Sequence, residues 1–349
     1  MTIRILAIES SCDETAAAVL EDGRALLAST VASQMEMHAR FGGVFPEVAS
    51  RQHVLSITPV IEKTLAQAHL TLNDIDAIVV TRGPGLAGSL VVGMNAAKGL
   101  ALGSGHPLVG VNHLEGHLYS AWVHDAKEDA PPEPQFPIMA LLVSGGHSEL
   151  NLMTDHLTYQ RLGGTLDDAA GEAFDKVARM LGLPYPGGPS IQKAAKKGSS
   201  TAFNFPRARL GGSWNFSFSG LKTSVLHQVR KIRQEFGNGP DDESVPLPIS
   251  DLAASFQQAV VEVLGTKTRF AAQEFAVKEI LVAGGVSANK ELRKQIQLNV
   301  PGIVHLPAAK YCTDNAAMIA TAGYYRYINN YFSDLSMDVM PSWPLAVEE

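Results

Sequence analysis

Two stretches of the chain start in the same way, and that repetition limits its fold more than any other feature. Residues 4–22, RILAIESSCDETAAAVLED, are an apolar run, a short polar turn and a second apolar run. Residues 137–154, PIMALLVSGGHSELNLMT, repeat the plan after DAKEDAPPEPQFP, a Pro- and charge-rich stretch that reads as a linker. Strand–turn–helix units follow in each half: residues 74–103 in the first, residues 277–297 and 312–328 in the second. Such alternation predicts α/β layers, and the duplication predicts two related lobes facing a cleft, split at 1–133 and 134–349. The stretch of about 165–260 breaks the rhythm. TLDDAAGEAFDKVARMLGL and PISDLAASFQQAVVEVLGTKTRFAAQEF have helical periodicity, so this is a largely helical insertion into the second lobe, with Asp251 placed to cap the later helix. The tail, about 332–349, reads as irregular.

At 349 residues the chain is long enough for two cores. No run approaches the roughly 18 apolar residues that span a bilayer. Glu9 interrupts the start too early for a secretory signal. Two distant cysteines, Cys12 and Cys312, make a disulfide framework a poor reading and a reducing cytoplasm the expected home. The net charge of −7 argues against a nucleic-acid partner until its distribution is considered. Between Asp175 and Glu235 there are eleven basic residues and no acid, including Lys193, Lys196, Lys197, Arg207 and Arg209. Segregation of this kind suits a phosphate-backbone contact surface; a solvated helical face is the competing reading.

Residues 112–120, NHLEGHLYS, place His113 and His117 four apart, on one helical face at about 100° per residue. A zinc-protease helix has its glutamate directly after the first histidine. Here Leu114 is in that place, and Glu115 lies roughly 200° round from His113, pointing away from the pair. The spacing suits two ligands of one ion, but capping or packed histidines suit it as well. His124 shares that face and reads as a solvated helix end. In TDNAAMIA, Asp314 or Asn315 is either a helix cap or, for Asp314, a carboxylate from the second lobe completing a set begun in the first. Two imidazoles and a carboxylate suit Fe(II) or Zn(II) with positions left open. Gly83, Gly85 and Gly88 form a G-x-G-x-x-G after a strand. No acidic residue closes the next strand as a dinucleotide site requires, so a tight turn with close backbone approach is the simpler reading. The glycine-serine turns of LLVSGGHSEL and LVAGGVSANKEL offer exposed amides of the kind that cradle phosphate.

AIESSCDETA, GGVFPEVASRQH, GPGLAGSLVVG, NHLEGH, LLVSGGH, DDAAGEAFDKVARMLGLPYPGGP, FSFSGLKT, VAGGVSANKELR and CTDNAAMIA occur in that order and together cover nearly the whole chain. The set resembles the TsaD (Gcp/YgjD) family, the tRNA N6-adenosine threonylcarbamoyltransferases. The resemblance implies a duplicated actin-like, sugar-kinase-like ATPase (ASKHA) fold with two RNase H-like lobes around a nucleotide cleft. It implies transfer of threonylcarbamoyl from threonylcarbamoyl-AMP to N6 of adenosine-37, in tRNAs reading codons that begin with A, with release of AMP. It implies His113, His117 and Asp314 as ligands of one divalent ion, Fe(II) ahead of Zn(II). Leu142, Val143, Ser144, Gly145, Gly146, Asp175, Gly188 and Asn289 would hold the adenylate, and Asp13 and Glu14 would be the acidic pair beside the reacting group. Lys193, Lys196, Lys197, Arg207 and Arg209 are the expected tRNA contacts. A TsaB paralogue, the TsaE ATPase and a separate synthase supplying the adenylate are the implied partners, with no membrane involved. Asn112 departs from the histidine that many members carry. A metalloprotease and a non-catalytic nucleotide-binding scaffold are the competing functions.

Overall fold

The computed structural model describes residues 2–208, 211–300 and 302–346. They form two compact units. The first takes in the chain up to Gln135, Met153–Tyr159, and the chain from Pro307 on; the second takes in Phe136–Leu152 and Gln160–Leu306.

In the first unit, β1 (Arg4–Glu9), β2 (Glu14–Glu21) and β3 (Ala25–Ser33) make an antiparallel meander. After α1 (Met35–Ala39) and α2 (Pro46–Ala68) come β4 (Ala77–Gly83), α3 (Ala87–Ser104), β5 (Leu108–Asn112), α4 (His113–Tyr119) and the short β6 (His124–Asp125). The sheet order is β5-β4-β1-β2-β3-β6, with β1, β4 and β5 parallel. Helices cover both faces, which is why β1 is apolar along nearly its whole length. Leu6 and Ile8 pack with Ile57, Ile61 and Met94 from α2 and α3. Strand alternation turns Ile5, Ala7 and Glu9 to the opposite face. Pro46 opens α2, and α3 ends at Gly105 in the left-handed region, where glycine carries no Cβ penalty. His124 is half-buried and starts β6 beside β3, so it is not the solvated helix end expected of it: α4 has already stopped at Tyr119.

The second unit contains β7 (Ile138–Val143), β8 (Ser148–Asp155), β9 (Thr158–Gly164), α5 (Ala170–Met180), α6 (Gly187–Ala195), α7 (Ser219–Phe236), α8 (Ile249–Glu274), β10 (Glu279–Ala283), α9 (Lys290–Asn299) and β11 (Ile303–His305). Its sheet order, β11-β10-β7-β8-β9, reproduces β5-β4-β1-β2-β3 strand for strand. The chain therefore has the duplicated actin-like α/β fold. Met139, Leu141 and Val143 on one face of β7 pack with Phe174, Val177, Phe256 and Val260 from α5 and α8. Each large apolar side chain buried in this way contributes roughly 1.5–3 kcal/mol. The periodic stretch ending in RFAAQEF is helical to Glu274, as α8. Asp251 does not cap α8; its Oδ1 accepts the Ser199 N–H at 2.7 Å, tying the loop after α6 to the start of α8.

The boundary expected at 134 is corrected for the end of the chain. The last helix, α10 (Ala316–Ile328), belongs to the first unit and packs on β1 and β2. Gly323 permits this, since a Cβ there would stand 2.4 Å from Val79 Cγ1. The tail is irregular, as expected, yet held. Met340 N–H donates to the Arg82 carbonyl at 2.8 Å, Arg82 Nε donates to the Asp338 carbonyl at 2.8 Å, and Gly85 N–H donates to the Pro341 carbonyl at 3.1 Å. A Cβ on Gly83, where φ is +158°, would meet the Met340 oxygen at 1.8 Å. Gly83 thus admits the protein's own tail, while a Cβ on Gly85 would meet the Ser11 carbonyl at 2.5 Å and one on Gly88 the Ser50 hydroxyl at 2.4 Å, so close packing within the protein accounts for all three.

Candidate metal centre and glycine loops

All seven residues of α4 are buried. Its first turn is closed by Asn112, whose Oδ1 accepts the Leu114 N–H at 2.9 Å. Asn112 Nδ2 donates to the carbonyls of Trp343 and Pro344, each at 3.2 Å. The Asn112 side chain is therefore committed to the helix start and the tail.

His113 and His117 lie one turn apart, with ring centroids 4.7 Å from each other. The third member precedes α10. Asn315 is the cap, its Oδ1 accepting the Met318 N–H at 3.0 Å, which leaves Asp314 to face the histidines. Asp314 Oδ1 is 3.2 Å from His117 Nε2 and 3.4 Å from His113 Nε2. One donor atom from each of the three lies within 4.8 Å of the other two, a group that could hold a metal ion. Donors sharing one ion at about 2.0–2.2 Å stand roughly 3–3.5 Å apart, and both distances from Asp314 fall in that range. Because α10 is part of the first unit, the triad lies within one unit; the expectation that Asp314 comes from the second lobe is corrected.

The expected set lacked a partner for His113. Its Nδ1 stands 3.1 Å from Glu9 Oε2 and 3.1 Å from Ser11 Oγ. Glu9 is fully buried, accepting the Thr81 hydroxyl and the Ser11 N–H, each at 2.5 Å. A carboxylate behind an imidazole fixes its tautomer and aims the other nitrogen. The signal was present in the sequence: an acid ending a strand buried on both faces needs a partner. Burial alone would push the His113 pKa down, but Asp314 and Glu9 outweigh it and hold it well above the ordinary value. Burial would likewise raise Asp314 and Glu9, and their imidazole neighbours lower both. For His117 burial prevails, and its pKa falls.

Glu115 points away from the pair, as its helical angle predicts. Its Oε1 accepts Arg326 Nε at 2.7 Å and its Oε2 accepts Arg326 Nη2 at 2.9 Å, both inside the fold. A carboxylate held in this way cannot act as the base of a protease helix.

Asp13 and Glu14 follow β1, half-buried. Burial raises both, and Asp314 adds to the rise in each. Glu14 is pushed up to about 7, even though its Oε1 accepts the Ser33 hydroxyl at 2.7 Å. The first turn around them is pinned by His53, whose ring nitrogens meet Thr15 Oγ1 at 2.8 Å and the Cys12 carbonyl at 2.9 Å.

In the second unit the expected nucleotide residues separate into two groups. Leu142 and Val143 have no exposed surface; their side chains belong to the sheet core at the end of β7. Ser144, Gly145 and Gly146 emerge from β7, the two glycines exposed with open space where a Cβ would be. The Gly171 and Glu172 N–H groups opening α5 donate to the Ser144 and Gly145 carbonyls, each at 3.2 Å, which fixes this loop. Gly188 and Asn289 line one recess, together with Phe174, Gln192 and Val286. Asp175 Oδ1 accepts the Gly187 N–H at 2.7 Å, holding the start of α6; burial raises its pKa. Asn289 caps α9 through Oδ1 and donates from Nδ2 to Gln257 Oε1 at 2.9 Å, so its side chain is largely occupied.

The basic interval is partly neutralised by acids outside it. Lys176 pairs with Asp168 and Glu172, Lys222 with Asp168, Arg230 with Asp241, and Arg207 with Glu262 at 2.7 Å. Arg207 is therefore a weaker candidate for phosphate contact than its charge suggested, and Arg209 lies outside the described residues. Lys193, Lys196 and Lys197, at the end of α6, are exposed.

A family model described as TsaD: tRNA N6-adenosine threonylcarbamoyltransferase matches residues 25–321. A protein of that name from Thermomicrobium roseum is 54% identical, over 98% of this chain and 97% of its own length. One from Moorella thermoacetica is 50% identical, over 98% of this chain and 97% of its own length. Two solved structures share the fold at low identity. HypF from T. kodakarensis gives a TM-score of 0.59 at 14% identity, covering 94% of this chain and 48% of that one. Component A of the Acidaminococcus fermentans (R)-2-hydroxyglutaryl-CoA dehydratase gives 0.50 at 16%, covering 94% of this chain and 99% of that one. A match of this extent, at half or more of the aligned residues, decides the relationship: the chain belongs to the TsaD family of tRNA N6-adenosine threonylcarbamoyltransferases.

Proposed function

We propose that the chain transfers the threonylcarbamoyl group of threonylcarbamoyl-AMP to N6 of adenosine-37, in tRNAs reading codons that begin with A. The adenine amine attacks the carbamoyl carbonyl carbon, the bond from that carbon to the phosphate oxygen breaks, and AMP leaves with the electron pair. The observation carrying this reading is the convergence of His113, His117 and Asp314 in a chain with this family relationship. On this reading those three residues hold one divalent ion, Fe(II) for a two-imidazole, one-carboxylate set, with Zn(II) as the alternative. When bound, such an ion polarises the carbonyl or holds the adenylate oxygens as a Lewis acid.

The remaining roles fall to the chain's own groups. Glu14, its carboxyl raised to about 7 by burial first and by neighbouring Asp13 second, accepts the amine proton. The exposed turn at Gly145 and Gly146 and the recess at Gly188 and Asn289 take the adenylate, Asp175 keeping the start of α6 in place. A TsaB paralogue and the TsaE ATPase are the proposed protein partners, a separate synthase supplies the adenylate, and the cytoplasm is the proposed site of action. Among the described residues, no helix is long and apolar enough to cross a membrane.

Supplying threonylcarbamoyl-AMP, both partner proteins and unmodified tRNA should yield threonylcarbamoyladenosine in the nuclease digest. A digest without it refutes the assignment. Lys193, Lys196 and Lys197 are proposed as tRNA contacts. Reversing all three to glutamate should weaken tRNA binding and reduce the log–log salt slope by about one unit per lost phosphate contact, with AMP affinity unchanged. Equal tRNA affinity in the reversed protein would rule this surface out.

A further inference from the structure

The metal reading needs donors from two helices to hold their separation closely, since metal–ligand bonds tolerate only about ±0.2 Å. α4 supplies His113 and His117, whereas Asp314 stands just ahead of α10. A seven-residue helix has little stability of its own, helices below roughly 12 residues being marginal in isolation, so its position is set by what it packs against. Part of that packing is apolar. A Cβ on Gly116 would meet Ile319 Cδ1 at 2.5 Å, so the α4 backbone lies directly on α10. Contacts of this kind exclude water but fix direction weakly.

One contact between the same two helices is directional. The Glu115 carboxylate takes both Nε and Nη2 of Arg326, at 2.7 and 2.9 Å, in a two-point fork. It pulls on the side of α4 opposite the histidines. The Trp343 ring lies 5.8 Å from the Arg326 guanidinium carbon and 5.6 Å from that of Arg82, so the tail closes over the fork. A buried ion pair is a poor source of net stability, because desolvating two charges offsets most of their attraction. Its geometry is what an apolar pair could not supply.

We infer that Glu115 and Arg326 are positioning residues that set the distance between the α4 histidines and Asp314, and so set the affinity and geometry of the metal site. The inference rests on the metal reading of those three residues. Neither Glu115 nor Arg326 is among the three candidate donors.

The test uses the full-length protein stripped of metal and titrated with Co(II), whose visible spectrum reports ligand geometry. The parent should bind one Co(II) per chain; failure to do so would sink the metal reading itself and this inference with it. The double variant Glu115→Leu with Arg326→Met removes both charges together, leaving neither one buried and unpaired. It should melt near the parent, yet bind Co(II) roughly 10–100-fold more weakly, with a shifted and broadened visible band. Parent-like affinity and an identical band in this variant would overturn the clamp and leave the metal reading standing. If the double variant does not fold, Glu115→Gln decides, since it keeps the side-chain shape and loses the charge. A several-fold loss of Co(II) affinity with a shifted visible band in Glu115→Gln supports the clamp; unchanged affinity and band overturn it.

Discussion

Asp314→Ala is expected to lose its metal and its activity together while keeping the parent's fold. The carboxylate is the one acidic member of the triad and stands within 3.4 Å of both imidazoles. Its loss should lower metal affinity by at least the roughly 10–100-fold typical of losing an outer-shell partner, and turnover with it. The fold should persist because the neighbouring residue does the local structural work. Asn315 caps α10 and donates to the Thr313 carbonyl at 2.7 Å, and neither bond involves Asp314. His113 keeps Glu9 as a partner. Metal analysis and a circular-dichroism melt on one preparation check both halves. Full metal occupancy in Asp314→Ala removes Asp314 from the ligand set.

The second large effect is expected at Glu14. A base works when deprotonated, and burial, aided by Asp13 and Asp314, lifts this carboxyl to about 7. Turnover should therefore rise through neutral pH and level off above it. Glu14→Gln should lower kcat by roughly 10²–10⁴-fold and abolish that acid limb. Stability carries the opposite sign. A carboxyl whose folded pKa is raised stabilises the fold while protonated, and this contribution is lost as pH rises through the folded value. The Glu14→Gln protein should accordingly melt higher than the parent at pH 8, with the difference shrinking toward pH 5. An acid limb that persists at parental kcat in Glu14→Gln would take the base role away from it.

These expectations draw on two different kinds of information. The duplication was readable because each half repeats an apolar run, a polar turn and a second apolar run, and strand periodicity depends only on near neighbours. The resulting sheets share one strand order. The HxxxH spacing was readable for the same reason: residues four apart share a helical face whatever surrounds them. The displaced Glu115 was readable too, since one helix places it away from both histidines. Charge segregation was visible as well, but its meaning was only half accessible. Among the described residues, Lys176, Arg207, Lys222 and Arg230 find acids from Asp168 to Glu262 that lie outside the interval.

Periodicity along the sequence determined the two-sheet α/β plan, the histidine pair on one face and the insertion of helices in the second half. The tertiary structure alone decided that α10 returns to the first sheet, bringing Asp314 to His113 and His117 within one unit. It also decided that Glu9 stands behind His113 and that Arg326 grips Glu115 from more than two hundred positions away. The physical reason is one of range. Helix and strand patterns arise from interactions a few residues apart, whereas a ligand set and its supporting pairs arise from which faces the folded chain buries against one another.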